Sequence, residues 1–147
     1  MIRVSVQPAP IDLAIELAGV EAKGAGAIAS FTGVVRGDDG VTELMLEHYP
    51  GMTEAALIAV AEEAFARWDL LAVTVVHRVG PMVPGDRIVF LAAAAAHRAA
   101  ALEACTYLID RLKTEAPFWK RERRGDDAEW VEARHADEAA ARRWTKA

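Results

Sequence analysis

Leu71-Ala72-Val73-Thr74-Val75-Val76-His77-Arg78-Val79, followed after two turns by Arg87-Ile88-Val89-Phe90-Leu91-Ala92-Ala93-Ala94-Ala95, is the stretch that decides the fold. In its first half Leu71, Val73, Val75, His77 and Val79 alternate with Ala72, Thr74, Val76 and Arg78, the period of a β-strand. Gly80-Pro81 and Pro84-Gly85-Asp86 are turn sequences, so the two runs are predicted to pair as a hairpin. Directly afterwards, from about Arg98 to Glu115, Leu102, Cys105, Leu108, Ile109 and Leu112 recur at helical spacing, and Pro117 prevents the helix from continuing. The pattern is strand, strand, helix.

Working outward repeats it. Ile2, Val4 and Val6 alternate with Arg3, Ser5 and Gln7 in a first strand, Pro8-Ala9-Pro10 ends it, and a short helix is expected around Ile11 to Val20. Ala27 to Val35 and Val41 to His48 are predicted strands joined by the tight Gly37-Asp38-Asp39-Gly40 connection, which reads as another hairpin. Thr53 is the expected N-cap of a helix carrying Leu57, Val60, Ala61, Ala64, Phe65 and Trp68 on one stripe. Beyond Pro117, two short strands, Phe118 to Arg123 and Glu129 to Ala133, precede a closing helix through Ala136 to Trp144. The sum is an α+β fold in a single domain, 1–147: an antiparallel sheet, helices packed on one face, and a small C-terminal β subregion.

The chain has 147 residues, 53% hydrophobic and 27% charged, the composition of a globular domain with a core of its own. The alternating run Ile2 to Val6 at its start does not suggest export, and its longest apolar run, Ile88 to Ala96, falls well short of the roughly 20 residues a membrane helix needs. A cytoplasmic location without membrane attachment is expected. Cys105 is the single cysteine, which excludes an internal disulfide and a Cys-x-x-Cys site, and its place on the apolar helical stripe reads as a buried, inert thiol. His48, His77, His97 and His135 are scattered, so no metal site is expected, and neither dinucleotide nor phosphate-loop nor nucleophile-elbow spacing occurs. No cofactor is implied.

Net charge is −5, yet residues 111–124 carry +4. His97 and Arg98 stand where a strand hands over to a helix N-terminus, a favourable place for an anion. Lys113 and Lys120 flank the end of that helix, where the returning chain can bring two amines to one cavity. Crowded, partly desolvated amines exchange protons nearer neutral pH than isolated ones. The bland alternative is a solvated basic surface. A nucleic-acid module is a further reading, with Lys120-Arg121-Glu122-Arg123-Arg124 beside Phe118 and Trp119 as a stacking platform, although the overall acidity opposes it.

Longer strings are more specific. Phe31-Thr32-Gly33-x-Val35-Arg36, Leu46-Glu47-His48-Tyr49-Pro50-Gly51-Met52-Thr53, His77-Arg78-x-Gly80, Pro84-Gly85-Asp86, Ala96-His97-Arg98, Lys113-Thr114-x-Ala116-Pro117-Phe118-Trp119-Lys120-Arg121-Glu122 and Trp130-Val131-Glu132-Ala133-Arg134 resemble the large subunit of the molybdopterin synthase family, from about Gly24 to Trp144. The resemblance implies an α/β hammerhead-type fold and a sulfurtransferase of molybdenum-cofactor biosynthesis. It also implies a homodimer of large subunits within a heterotetramer, each large subunit taking a small ubiquitin-like sulfur carrier whose C-terminal Gly-Gly ends in a thiocarboxylate. The implied substrate is cyclic pyranopterin monophosphate, which receives the two dithiolene sulfurs of molybdopterin. Carried over by position, Lys113 and Lys120 are the expected catalytic residues. Val34, Val35, Arg36, His97, Arg98, Arg121 and Glu122 join them in binding substrate, with Glu122 a candidate to orient Lys120 or Arg121. A noncatalytic scaffold for a ubiquitin-like partner is the competing reading.

Overall fold

The computed structural model describes residues 1–22, 24–125, 127–131 and 144, with 39 and 127–131 described in backbone alone. Among the described residues, eight strands and three α-helices follow in the order β1 (Ile2–Gln7), α1 (Leu13–Gly19), β2 (Ala27–Val34), β3 (Glu43–His48), α2 (Met52–Arg67), β4 (Ala72–Arg78), β5 (Gly80–Met82), β6 (Arg87–Ala95), α3 (Arg98–Glu115), β7 (Phe118–Arg124) and β8 (Asp127–Val131). They build two four-stranded sheets, ordered β1-β4-β6-β2 and β5-β3-β7-β8.

The deciding stretch folds as read: β4 and β6 pair antiparallel, Val73 opposite Ala93 and His77 opposite Val89. The short run between them does more than turn. β5 leaves the first sheet and pairs with β3 in the second, Leu44 opposite Met82, the chain changing sheets at Gly80, whose φ of +91° suits glycine. Sheet one is also not purely antiparallel, because β1 lies parallel to β4.

The expected hairpin of residues 27–48 does not form. β2 pairs with β6 instead, and a bulge between Gly33 and Val34 turns the chain out of the sheet. Val35 then exchanges backbone bonds with the 85–86 turn, its N–H donating to Asp86 and its carbonyl accepting from Gly85, which draws the 37–40 segment around a corner into the second sheet. Local turn chemistry was outweighed by the long-range partner.

α2 and α3 pack together on the face of sheet one formed by Val73, Val75, Val89, Leu91 and Ala93. Ala101, Ala104 and Leu108 of α3 are buried here, and the alanines let the helix approach closely. The sequence led to helices on one face alone, and the structure differs: Ile11 and Val20, at either end of α1, bury the opposite face over Val76, Phe90 and Ala92. Asp12 caps α1 by accepting from the Ile15 N–H at 3.1 Å, and Glu16 pairs with Arg3 of β1 at 2.9 Å. The N-cap of α2 is Gly51, not Thr53; the Gly51 N–H donates to Glu54 Oε1, and Thr53 lies buried inside the first turn. The C-terminal strands form as Phe118–Arg124 and Asp127–Val131, with 132 and 133 of the expected second strand outside the described residues, and of the expected closing helix only Trp144 lies within them. Its indole donates to Asp110 at 2.7 Å and meets Trp68 and Tyr107 edge to face.

Candidate active site

The end of β2, the corner after it, the start of β3 and of β6, the last turn of α3 and one face of β7 enclose a cavity of about 630 Å³. Its charged lining is Arg36, Asp38, Lys113, Lys120, Glu122 and Arg124, against apolar walls from Phe31, Val34, Val35, Val41, Leu44, Ile88 and Val89.

Lys113 stands in the last turn of α3, where a cation is favoured by the helix dipole. The chain then reverses through Ala116 and Pro117, and Lys120 follows on β7, opposite Leu46 of β3. Thr53 fixes this reversal: its hydroxyl donates to the Pro117 carbonyl at 2.8 Å and accepts from the Tyr49 N–H at 2.9 Å. Both lysines therefore enter one cavity, as the spacing suggested.

Strand pleating sorts the basic run of β7. Residues paired across an antiparallel ladder share a face, so Lys120 and Glu122, opposite the buried Leu46 and Leu44, point inward, and Arg124 follows at the same period. Trp119, Arg121 and Arg123 face the other way, opposite Glu47, Met45 and Glu43. Arg121, expected in the pocket, is thus excluded from it. Glu122 pairs with Arg124, Oε2 to Nη2 at 2.8 Å. The same pleat undoes the nucleic-acid platform, since Phe118 stacks inward on His77 at 4.0 Å while Trp119 packs outward on Tyr49.

The β2 bulge places its three expected residues differently. Val34 is half exposed at the cavity mouth, Val35 is buried in its floor, and the exposed Arg36 has Nε 3.6 Å from Asp38 Oδ2. His97 and Arg98 are elsewhere: both are exposed at the N-terminal end of α3, about 22 Å of helix from Lys113 at 1.5 Å per residue. One protomer does not bring its two groups of cations together.

His77 was absent from the expected site, although it lies behind both lysines. Its ring is buried, and burial pushes its pKa down to about 4; the charges of Lys113, Lys120 and His48 act in the same direction, against a hydrogen bond to the Arg78 carbonyl. A neutral ring can make that bond only by donating from Nδ1, 3.0 Å from the oxygen, which fixes the tautomer. Arg124 and Asp38 were also missed; period-two reading of β7 from Lys120 would have found the first.

Cys105 is buried in α3 and its thiol is pushed up to about 11 by burial, leaving it no role as a nucleophile at neutral pH. Among the described residues no three His, Cys, Asp or Glu side chains gather as metal ligands, and no helix is long and apolar enough to cross a membrane.

The sequence of residues 6–115 matches the model of the MoaE protein family. The chain belongs to the MoaE family. A relative from Escherichia coli strain K12, a molybdopterin synthase catalytic subunit, is 53% identical over 122 residues, 81% of each chain. The MoaE protein from Burkholderia ambifaria superposes with a TM-score of 0.85 at 47% identity, covering 98% of both chains. A more distant structure, solved as a complex of subunits 1 and 2 of the molybdopterin-converting factor from Helicobacter pylori, shares the fold with a TM-score of 0.71 at 22% identity over 90% of this chain and 91% of that one. Within this MoaE chain, the strings that carry the resemblance supply Phe31, Thr32, Gly33, Lys113, Lys120 and Glu122 to the cavity wall.

Proposed function

We propose that this chain is the catalytic subunit of molybdopterin synthase, moving sulfur from the C-terminal thiocarboxylate of a small ubiquitin-like carrier onto cyclic pyranopterin monophosphate. The observation that carries the reading is the entry of Lys113 and Lys120, from two different elements, into one cavity of a MoaE-family chain. Both ligands are anionic, and a pair of amines draws phosphate and thiocarboxylate to the same place. Each transfer forms a carbon–sulfur bond and expels an oxygen that leaves more readily when protonated. Water then releases the carrier as a carboxylate. A lysine ammonium supplies the proton and the neutral amine takes one back. With Cys105 buried and unreactive, the sulfur arrives from the partner.

A small partner subunit accords with the two-subunit complex of the Helicobacter pylori relative. On this reading the carrier's tail is narrow enough to enter, and the half-exposed Val34 at the mouth is a residue for it to pass. In a homodimer, His97 and Arg98 of the second copy complete the cation set that one copy leaves spread along α3. The test is reconstitution from purified chain, thiocarboxylated carrier and cyclic pyranopterin monophosphate, with the product read as an oxidised fluorescent pterin. Dithiolene product is the expected result. Absence of product with a carrier that binds would make this chain a scaffold.

A further inference from the structure

The inner face of β7 presents Lys120, Glu122 and Arg124 in a row, one residue in two, so a carboxylate stands between two cations on the wall of a site read as anion-binding. Glu122 is the more enclosed member of the 2.8 Å pair, its side chain 20% exposed against 38% for Arg124. An ionised carboxylate in that position repels an incoming anion, and the low local dielectric strengthens the repulsion. Its charge has to be compensated from the same wall.

We propose that Arg124 is a positioning residue for anion recognition: by pairing with Glu122 it cancels that carboxylate and holds it toward the far end of β7, so the cavity meets an anionic ligand as a net cationic surface. The ligand class is a phosphate monoester or a C-terminal carboxylate or thiocarboxylate. The inference rests on the cavity being the anionic-substrate site proposed above, and it assigns Arg124 no contact with substrate. Arg36 and Asp38 face each other similarly across the mouth, but both are largely exposed and solvent screens them.

The experiment measures the dissociation constant of inorganic phosphate, by phosphorus NMR titration of the full chain, in the unsubstituted protein and in Arg124→Gln, Arg124→Lys and the double variant Glu122→Gln/Arg124→Gln. Circular dichroism melts of each variant verify folding. Uncovering the carboxylate in Arg124→Gln is expected to weaken phosphate binding about tenfold, whereas Arg124→Lys stays close to the unsubstituted value. Removing the charge of Glu122 as well should return the double variant to within about threefold of the unsubstituted protein. The same order is expected in KM for the pterin substrate. Unchanged binding in Arg124→Gln overturns the proposal, as does a double variant no tighter than the single one, which would make Arg124 a direct ligand. Phosphate that binds none of the proteins overturns it too. If the unsubstituted chain binds phosphate but makes no dithiolene, the synthase reading fails while the phosphate series still decides the role of Arg124.

Discussion

The hydroxyl of Thr53 donates a 2.8 Å hydrogen bond to the carbonyl of Pro117, 64 residues later in the chain. Because it also accepts from the Tyr49 N–H, one buried oxygen ties the end of β3, the first turn of α2 and the reversal between Lys113 and Lys120. Thr53→Val keeps the shape and leaves a buried donor and acceptor without their partner, for a loss of about 1–3 kcal/mol. Urea unfolding should show that loss as a lower midpoint with an unchanged slope. Turnover should fall further than stability alone explains, through displacement of Lys120; full activity in the folded variant would disconnect the pin from the site.

Lys113→Ala and Lys120→Ala should each reduce dithiolene formation by about a hundredfold or more, in the range expected for lost proton transfer and charge stabilisation together. Carrier binding, measured by calorimetry, should persist, since a cavity of about 630 Å³ admits only a chain tail and a folded carrier has to dock on the surface around it. Retention of turnover in both variants would remove the lysines from the chemistry.

His97 and Arg98 offer a test of assembly. If they complete the cavity of the other copy, a His97→Ala/Arg98→Ala chain and a Lys113→Ala chain, each inactive alone, should regain activity on mixing, because half the sites of each mixed dimer are intact. Random exchange gives about a quarter of the unsubstituted rate. No recovery after demonstrated subunit exchange would place the completing residues within one copy.

His77 makes stability depend on pH. Its folded pKa of about 4 lies below the ordinary histidine value of 6.5, so between these values the unfolded chain binds more protons and acid favours unfolding. The neutral ring's contribution is fully present above pH 6.5 and is lost as pH falls toward 4, about 3 kcal/mol for a shift of this size. Stabilities from urea unfolding at pH 7 and pH 5 should differ by about 2 kcal/mol from this group, and His77→Leu should narrow the gap. An equal gap in the variant would assign the acid sensitivity to other groups.

Strand period and helix stripe made most of this architecture legible in the sequence, and α3 begins and ends where Arg98 and Pro117 indicated. What the sequence hid was partnership. Gly37 to Gly40 has the chemistry of a hairpin turn, yet β2 is held by β6 and the corner after it by the 85–86 turn, interactions spanning about fifty to seventy residues that no local pattern announces. The lysine pair was readable because Pro117 forces a reversal between its members. Arg121 was misplaced because the basic run was read as a cluster when the pleat makes it two rows, and His77 was passed over because a lone histidine on an apolar strand face resembles ordinary core.

That two-row arrangement gives β7 an unusual sensitivity to reading-frame-preserving change. Inserting or deleting one residue between Phe118 and Lys120 alters the composition hardly at all, yet it swaps lining for coat: Arg121 and Arg123 turn inward while Lys120, Glu122 and Arg124 turn to the solvent. A three-nucleotide indel there amounts to replacing the whole inner wall at once. The segment can vary by substitution, one position at a time, but not in length.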